Sequence, residues 1–265
     1  MTPLPPESAL RITLGGVPVD LAERATVDSL ISARLGVGKS VTADAPPLLV
    51  ASANLHHLGE FRPDGPLGGF YDRTTNVWLV LLDGAPLANR AAGLTGRSWP
   101  LLSGSDLLPG LLADAAKAGT RVGFLGGAPG LAEPLRGVCT YRWPALVHAG
   151  HWTPPRAALQ DPVRLVELAA AIRAAGIELL IVGLGKPQQE SWLDTWAVDA
   201  GIRVGLAFGA SAEFLTGAQT RAPGWVRRAR AEWLWRLGSD PKRLARHYLI
   251  EGPGEYRRLR RDSCL

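Results

Sequence analysis

Short apolar runs recur along the chain, and almost every position within them is apolar. A continuous run of this kind is typical of a strand that is buried on both faces of a sheet. Six such strands are predicted, at Leu48–Ala53, Val77–Leu82, Arg121–Leu125, Ala145–His148, Glu178–Val182 and Arg203–Phe208. The first forty residues are rich in Gly and Val and show no clear strand.

Helical patterns separate these runs. Asp106–Lys117 and Asp161–Ala175 have helical periodicity, the second with apolar residues at Val163, Val166 and Ala169. The expected capping residues are Ser105 or Asp106 and then Gly119 for the first helix, and Asp161 with Pro162 and then Gly176 for the second. Strands that alternate with helices predict an α/β fold with a mostly parallel sheet flanked by helices.

Basic residues are concentrated at the carboxyl end of the chain. The 265 residues carry a net charge of +5, and residues 221–265 alone hold 12 Lys or Arg against 5 Asp or Glu. Two amphipathic helical patterns, Arg221–Leu237 and Asp240–Leu249, combine arginines with aromatic residues in this region. We therefore divide the chain into a catalytic core, residues 1–218, and a basic amphipathic appendage, residues 219–265.

A basic appendage indicates a phosphate group, an anionic membrane surface or a nucleic acid as the partner. The alternative is a solvated helical face whose tryptophans pack on the core. The sequence leaves both interpretations open.

The sequence predicts neither a membrane span nor a secretory signal. No apolar run reaches the roughly 18 residues that a span requires, and Met1–Glu7 lacks a basic and then apolar pattern. The two cysteines, Cys139 and Cys264, match no metal or redox spacing, which favours unpaired thiols in a reducing compartment. We expect a cytoplasmic protein.

Residues that follow the predicted strands are the candidates for a binding site, because open parallel sheets bind ligands beyond the carboxyl ends of their strands. Most of these positions carry polar side chains or glycine, which contribute little to an apolar core. The candidates are Ser52 and Asn54, Asp83 and Gly84, Gly126 and Gly127, and the segment from Gly185 through Gln189 to Glu190.

Asp83 directly follows six apolar residues. It is therefore expected to leave the sheet in a partly desolvated crevice, where the pKa of a carboxylate tends to rise. Such a group suits a general base. The alternative is an aspartate that caps the helix or turn at Asp83–Pro86.

The glycine segments allow more than one interpretation. The turn Gly123–Gly130 resembles a glycine turn that cradles a phosphate, but ordinary tight turns use the same residues. Gly185 would let the backbone approach a ligand. Gln189 can bind the edge of a base or a sugar, since its amide both donates and accepts. Glu190 is a candidate for substrate contact or a first-turn acid that complements the helix dipole.

A metal site is not expected. His56, His57, His148 and His151 match no established ligand spacing, and the chain has no Asp-x-Asp pair of the kind that holds a metal diphosphate. If a diphosphate leaves at this site, arginines or helix N-termini must stabilise its charge.

Two other classes of function make different demands on the sequence. A dinucleotide-dependent oxidoreductase requires a Gly-x-Gly-x-x-Gly turn with an acid about 20 residues later, and neither occurs. A nonenzymatic nucleic-acid-binding protein would use the basic appendage and bind with a steep salt dependence. We expect no nucleic-acid partner.

Eight short segments occur in order over about residues 15–250: Ser52–Asn54, Leu82–Gly84, Gly104–Leu107, Phe124–Gly127, Gly183–Glu190, Phe208–Ala210, Arg221–Pro223 and Glu232–Leu237. In this order they resemble the WecG/TagA/CpsF family of bacterial glycosyltransferases, which act in cell-surface polysaccharide synthesis. Ser52 stands where the family has threonine, Gln188 where it often has lysine and Trp235 where it often has tyrosine. The segment Pro66–Thr75 matches only loosely.

The resemblance implies a Rossmann-like core that transfers a sugar, with inversion, from a nucleotide-diphosphate donor such as a UDP-sugar. The implied acceptor is linked to a polyprenyl diphosphate, and no metal or other cofactor is implied. Asp83 lies at the position of the family's catalytic base, Ser52 and Asn54 at its polar pair, and Gln189 at a position for the nucleotide sugar.

The resemblance also implies a role for the appendage. Its arginines would contact the diphosphates near an anionic membrane, on whose inner face the protein would associate peripherally. The candidates are Arg221, Arg227, Arg228, Arg236, Arg243 and Arg246. Neither the sugar nor the formation of a homo-oligomer is determined by the sequence.

Overall fold

The computed structural model describes residues 9–36, 45–218, 235, 238 and 252–265. Eight strands in this part of the chain form one sheet in the order β1-β2-β4-β3-β8-β7-β5-β6. The strands are β1 (Leu10–Leu14), β2 (Val17–Leu21), β3 (Leu48–Ala53), β4 (Val77–Leu82), β5 (Arg121–Gly126), β6 (Val147–Trp152), β7 (Leu179–Gly183) and β8 (Val204–Ala207). Strands β1 and β2 are antiparallel. Every other pair of neighbours in this sheet is parallel.

Helices cover both faces of the sheet. They are α1 (Arg24–Leu35), α2 (Leu55–Phe61), α3 (Phe70–Arg73), α4 (Ala85–Thr95), α5 (Gly104–Ala118), α6 (Ala132–Arg142), α7 (Pro162–Ala174), α8 (Gln188–Trp196), α9 (Ser211–Thr216) and α10 (Gly252–Arg261). Buried residues of α2, α4, α7, α8 and α10 belong to one core cluster, and those of α1, α5, α6 and α9 to a second. Leu49 and Ala51 of β3 face the first cluster, and Leu48 and Val50 face the second. The predicted α/β fold with a mostly parallel sheet is confirmed.

The central strands agree best with the sequence pattern. The bounds of β3 and β4 coincide with the predicted ones, and all six residues of each strand are buried. The strand predicted at Ala145–His148 instead runs from Val147 to Trp152. It lies at the edge of the sheet, and its side chains are only half-buried, so a rule based on apolar runs misplaces it.

The expectation of no clear strand in the first forty residues is wrong. Strands β1 and β2 form a hairpin there, whose turn residues Gly15 and Gly16 have φ of 57° and 83°. Two consecutive positive φ angles suit a tight turn that matches the twist of the strands. Asp20 joins this hairpin to β4, because its carboxylate accepts hydrogen bonds from Arg11 Nε at 2.7 Å and from the backbone N–H of Val80 at 2.7 Å.

The first predicted helix begins earlier than expected. Its N-cap is Ser103 rather than Ser105 or Asp106, and the Ser103 side chain accepts a hydrogen bond from the backbone N–H of Asp106. Gly119 ends the helix, as predicted, and it adopts the left-handed conformation. Asp161 caps α7 through the N–H of Val163, which confirms the second predicted start.

The last described segment returns to the first strands. Backbone hydrogen bonds join Thr13 to Cys264 in both directions, at 2.9 and 3.0 Å. Leu259 of α10 is buried in the core cluster that also contains residues of α2 and α4. Residues 252–265 therefore pack on the core, although they fall within the predicted appendage.

The described residues include no helix with both the length and the apolar character that a membrane span requires. Cys139 is buried and Cys264 is exposed, and both are free thiols, as predicted.

Candidate active site

A cleft of about 500 Å³, including space that is open to solvent, lies at the carboxyl edge of the sheet. Its position follows from the chain connections after the neighbouring strands β3 and β8. Helix α2 follows β3 on one face of the sheet and α9 follows β8 on the other, so that the two connections diverge and open a crevice. The lining residues are Ser52, Asn54, Asp83, Ser103, Gly104, Ser105, Lys186, Gln189, Ala207, Phe208, Gly209, Ala210, Ser211 and Phe214.

Asp83 lies in this cleft directly after β4. Its backbone N–H donates to the Ala53 carbonyl at 2.9 Å, which continues the pairing of β4 with β3 beyond the strands. The residue is half-buried. The N-cap position of α4 is occupied by Gly84, at φ 96°, and not by Asp83. Asp83 therefore lines the cleft and is not the N-cap residue of α4.

Ser52 and Asn54 line the same cleft from the end of β3. Ser52 is buried. Asn54 is also the N-cap of α2, since its Oδ1 accepts a hydrogen bond from the backbone N–H of His57 at 3.0 Å. The structure thus brings Ser52, Asn54 and Asp83 together, and it gives Asn54 a structural contact that the sequence had not indicated.

Gln189 and Glu190 lie in the first turn of α8 and are both buried, at 1% and 0% exposure. Gln189 lines the cleft, whereas Glu190 lies behind it and accepts a hydrogen bond from Lys186 Nζ at 2.9 Å. Glu190 is thus a first-turn acid that also forms a buried ion pair. Glu190 is not among the residues that line the cleft, and its role as a direct substrate contact stays a prediction.

Sequence reasoning did not select Lys186, which lines the cleft. Its ammonium group donates to the Ser52 carbonyl at 2.7 Å and to Glu190 Oε1 at 2.9 Å, and its Nζ lies 3.2 Å from His57 Nδ1. The spacing of Lys186 and Glu190 is i, i+4. That spacing within the segment Gly183–Glu190 was the available signal.

His57 is fully buried beside this lysine. Burial, the positive charge of Lys186 and the neighbouring His56 hold the pKa of His57 well below its usual value of 6.5. The imidazole is therefore neutral at physiological pH. With Nδ1 accepting from Lys186, Nε2 carries the proton and donates to the Tyr71 hydroxyl at 2.9 Å.

Gly126 and Gly127 do not line the Asp83 cleft. They line a much smaller neighbouring space, and Gly209 lines both. The Gly127 N–H donates to the Gly183 carbonyl at 3.1 Å, so this amide is engaged within the protein. A Cβ at Gly126 would lie 2.6 Å from the same carbonyl oxygen, which explains why the close approach of β5 and β7 requires glycine there.

Two further predicted glycines, Gly84 and Gly185, do not line the cleft. Gly185 is exposed at φ 82° and is not among the residues that line it. The six candidate arginines Arg221, Arg227, Arg228, Arg236, Arg243 and Arg246 lie outside the described residues. Among the described residues, no three His, Cys, Asp or Glu side chains are grouped so that they could hold a metal ion.

The structure is an α/β fold with a polar cleft at the carboxyl edge of its mostly parallel sheet. The model of the Glycosyl transferase WecG/TagA/CpsF family matches residues 12–264. The chain belongs to this family, which confirms the resemblance seen in its motifs. It is therefore a glycosyltransferase of a family that acts in cell-surface polysaccharide synthesis.

Proposed function

We propose that the protein transfers a sugar, with inversion, from a UDP-sugar to an acceptor linked to a polyprenyl diphosphate. The observation that carries this proposal is the Asp83 carboxylate in a polar cleft beside Ser52 and Asn54. Family membership supplies the reaction class.

In the proposed reaction, Asp83 removes the proton of an acceptor hydroxyl group. The hydroxyl oxygen forms a bond to the anomeric carbon of the donor sugar. The bond from that carbon to the nucleotide diphosphate breaks on the opposite face, and its electron pair leaves with the diphosphate. One displacement of this kind inverts the anomeric centre. Ser52 and Asn54 are suited to orient the reacting hydroxyl groups.

The departing diphosphate needs positive charge or N–H donors. Helix α5 begins at the cleft with Ser103 and Gly104, and the N-terminus of a helix favours anions. The appendage arginines would supply further charge, as the family resemblance implies. A polyprenyl acceptor resides in a membrane, so the protein would act on the anionic inner face of the cell membrane.

Replacement of the proposed base tests this mechanism. In Asp83→Asn, we expect turnover to fall by about 10²- to 10⁴-fold, the usual value of general-base catalysis. Binding of the donor and the melting temperature should remain close to those of the wild type, because asparagine has the same shape. Transfer from UDP-sugars to a short-chain prenyl-diphosphate sugar is measured together with thermal stabilisation by the donor.

Asp114→Asn is the matched control, since Asp114 is an exposed aspartate of α5 that forms an ion pair with Lys117. It should retain wild-type turnover. Wild-type rates in Asp83→Asn would remove Asp83 from the mechanism, and retention of the anomeric configuration in the product would exclude a single displacement.

A further inference from the structure

The side-chain amide of Gln189 is held in one orientation by two acceptors. Its Nε2 donates to the Ala207 carbonyl at 2.9 Å and to Glu190 Oε1 at 3.2 Å, so both amide hydrogens are used. If the amide were turned over, Gln189 Oε1 would face a carbonyl oxygen and a carboxylate oxygen. Neither can donate, because Glu190 is ion-paired with Lys186. The nitrogen therefore faces the protein interior.

The oxygen of the same amide is enclosed and has no partner among the described residues. Gln189 is 1% exposed and lines the cleft, and within the described part of the chain its Oε1 has no hydrogen-bond partner. A buried carbonyl oxygen without a donor carries a desolvation penalty, and native proteins seldom contain one without a reason. Recognition of a ligand that donates a hydrogen bond is such a reason.

Lys186 and Glu190 hold the nitrogen side of this amide in place. The three hydrogens of the Lys186 ammonium group match three acceptors: the Ser52 carbonyl, Glu190 Oε1 and His57 Nδ1. The ammonium group is thus engaged inside the protein and does not provide a further donor for a phosphate. It holds Glu190 Oε1 at the point where that oxygen accepts from Gln189 Nε2.

We propose that Lys186 and Glu190 are positioning residues that present Gln189 Oε1 to the cleft as an acceptor, so that the bound ligand must supply an N–H or O–H group there. This inference rests on the proposed function and names what its donor substrate must contain. A UDP-sugar offers two sources of such a group: the imide N–H of uracil, and the hydroxyl groups of the ribose or the transferred sugar. A cytosine base offers an acceptor at the position of that imide.

The positioning is tested first without a ligand. In the ¹⁵N-labelled wild type, the Nε2 hydrogens of Gln189, identified by their absence in Gln189→Met, should exchange slowly with solvent. The double variant Lys186→Met with Glu190→Gln removes the charge pair and keeps an amide oxygen at position 190. It should accelerate this exchange by at least about tenfold, because the acceptor is no longer held in place.

Lys117→Met is the control, since Lys117 forms an exposed ion pair with Asp114 on α5. It should leave the Gln189 exchange unchanged. The positioning role falls if the Gln189 amide of the wild type exchanges as fast as an exposed glutamine. It also falls if a folded double variant exchanges like the wild type.

Recognition is tested with UDP and with analogues that each lack one donor: 3-methyl-UDP, 2′-deoxy-UDP and 3′-deoxy-UDP. UDP-N-acetylglucosamine and UDP-glucose probe the sugar hydroxyl groups. CDP tests the base, since cytosine has an acceptor where uracil has its imide N–H donor. Calorimetry should show that removal of the relevant donor weakens binding to the wild type by about tenfold or more. Weak binding of 3-methyl-UDP and CDP identifies the base as the source, and weak binding of a deoxy analogue identifies the ribose. If a UDP-sugar binds the wild type more tightly than UDP does, and Gln189→Met loses this difference in affinity, the transferred sugar is the source of the donor.

The difference in affinity between the ligand that has the relevant donor and the analogue that lacks it should shrink to about threefold or less in Gln189→Met and in the Lys186–Glu190 double variant. If every analogue and UDP-sugar binds the wild type as UDP does, the inference is overturned even without a variant. If UDP binds but Gln189→Met discriminates like the wild type, the inference again falls while the proposed transfer stands. If no uridine nucleotide binds, the proposed donor is wrong, and the exchange measurement still decides the positioning.

Discussion

At the scale of single residues, charge in the candidate site is divided between a buried pair and an accessible carboxylate. The side chains of Lys186 and Glu190 are 11% and 0% exposed and pair with each other, whereas Asp83 is half-buried in the cleft. A buried ion pair with further hydrogen bonds fixes geometry. The residue proposed to react is thus separate from the buried pair, which contacts Ser52, His57 and Gln189.

The buried His57 should make stability depend on pH. Its folded pKa lies well below 6.5, chiefly through burial, so the unfolded chain binds a proton that the native protein does not. The contribution of His57 is therefore fully present above the unfolded pKa and is lost as the pH falls below about 6.5. The slope reaches up to about 1.4 kcal/mol per pH unit. In His57→Gln this part of the slope should disappear.

Urea unfolding of both proteins between pH 5 and pH 8 measures this effect. The stability advantage of the wild type over His57→Gln should shrink as the pH falls. Thr75→Gln is a control at an exposed position near the same helices, and its curve should run parallel to that of the wild type. A parallel curve for His57→Gln would show that His57 is not neutral in the native state.

At the scale of elements, the two ends of the described chain support one another. The hairpin of β1 and β2 pairs with the segment after α10 through Thr13 and Cys264, and Gly16 donates to the Asp262 carbonyl at 2.8 Å. Helix α10 packs on α2, whose first turn is capped by the cleft residue Asn54. The terminal helix therefore supports the framework of the site from outside.

Leu259→Ala should destabilise the protein by about 2–5 kcal/mol, because a fully buried leucine is truncated and the core cannot close the space completely. Tyr256→Ala on the same helix is the control, since Tyr256 is 47% exposed. It should change the free energy of unfolding by less than about 1 kcal/mol. Denaturant unfolding distinguishes the two. Equal effects would show that α10 does not pack through Leu259.

The elements also show how far local patterns predict the fold. Strands β3 and β4 were predicted to the residue, because both faces of each are buried and the apolar signal is continuous. The predicted position of strand β6 is wrong by a few residues, because its edge position leaves every side chain half-exposed and the apolar signal is weak. The hairpin was missed, although the turn Gly15–Gly16 between alternating apolar positions was an available signal.

At the scale of the whole molecule, the distribution of charge supports the proposed association with an anionic membrane. Residues 221–265 carry an excess of basic residues over a core that lacks one. A basic segment of this kind is attracted to anionic lipid over about a Debye length, roughly 8–10 Å at physiological salt. The proposed acceptor lies at the same surface. The division at residues 218 and 219 stays a prediction.

Because α10 packs in the core, deletion of residues 219–265 would damage the fold as well as the appendage. Substitution is the cleaner test. Arg243→Gln with Arg246→Gln should weaken binding to vesicles that contain phosphatidylglycerol by about 30-fold, at about 1 kcal/mol for each basic residue. Arg136→Gln with Arg164→Gln removes the same amount of charge from exposed positions on α6 and α7, outside the appendage.

That control should bind vesicles like the wild type, and high salt should abolish the difference between the two double variants. If both bind equally, net charge and not the appendage governs the association. If neither differs from the wild type, the membrane-surface proposal loses its support.

By itself, the sequence determined the fold class, the central strands, the polar strand ends and the family. These depend on signals that lie close together along the chain: periodicity, caps and the order of short motifs. Only the tertiary structure decided that Lys186 meets Ser52 and His57, and that Gly126 and Gly127 line a different cavity from Asp83. Lys186 is 134 and 129 residues away from Ser52 and His57 in the chain. No local pattern encodes which atoms meet across such separations, because the packing of the helices on the sheet determines it.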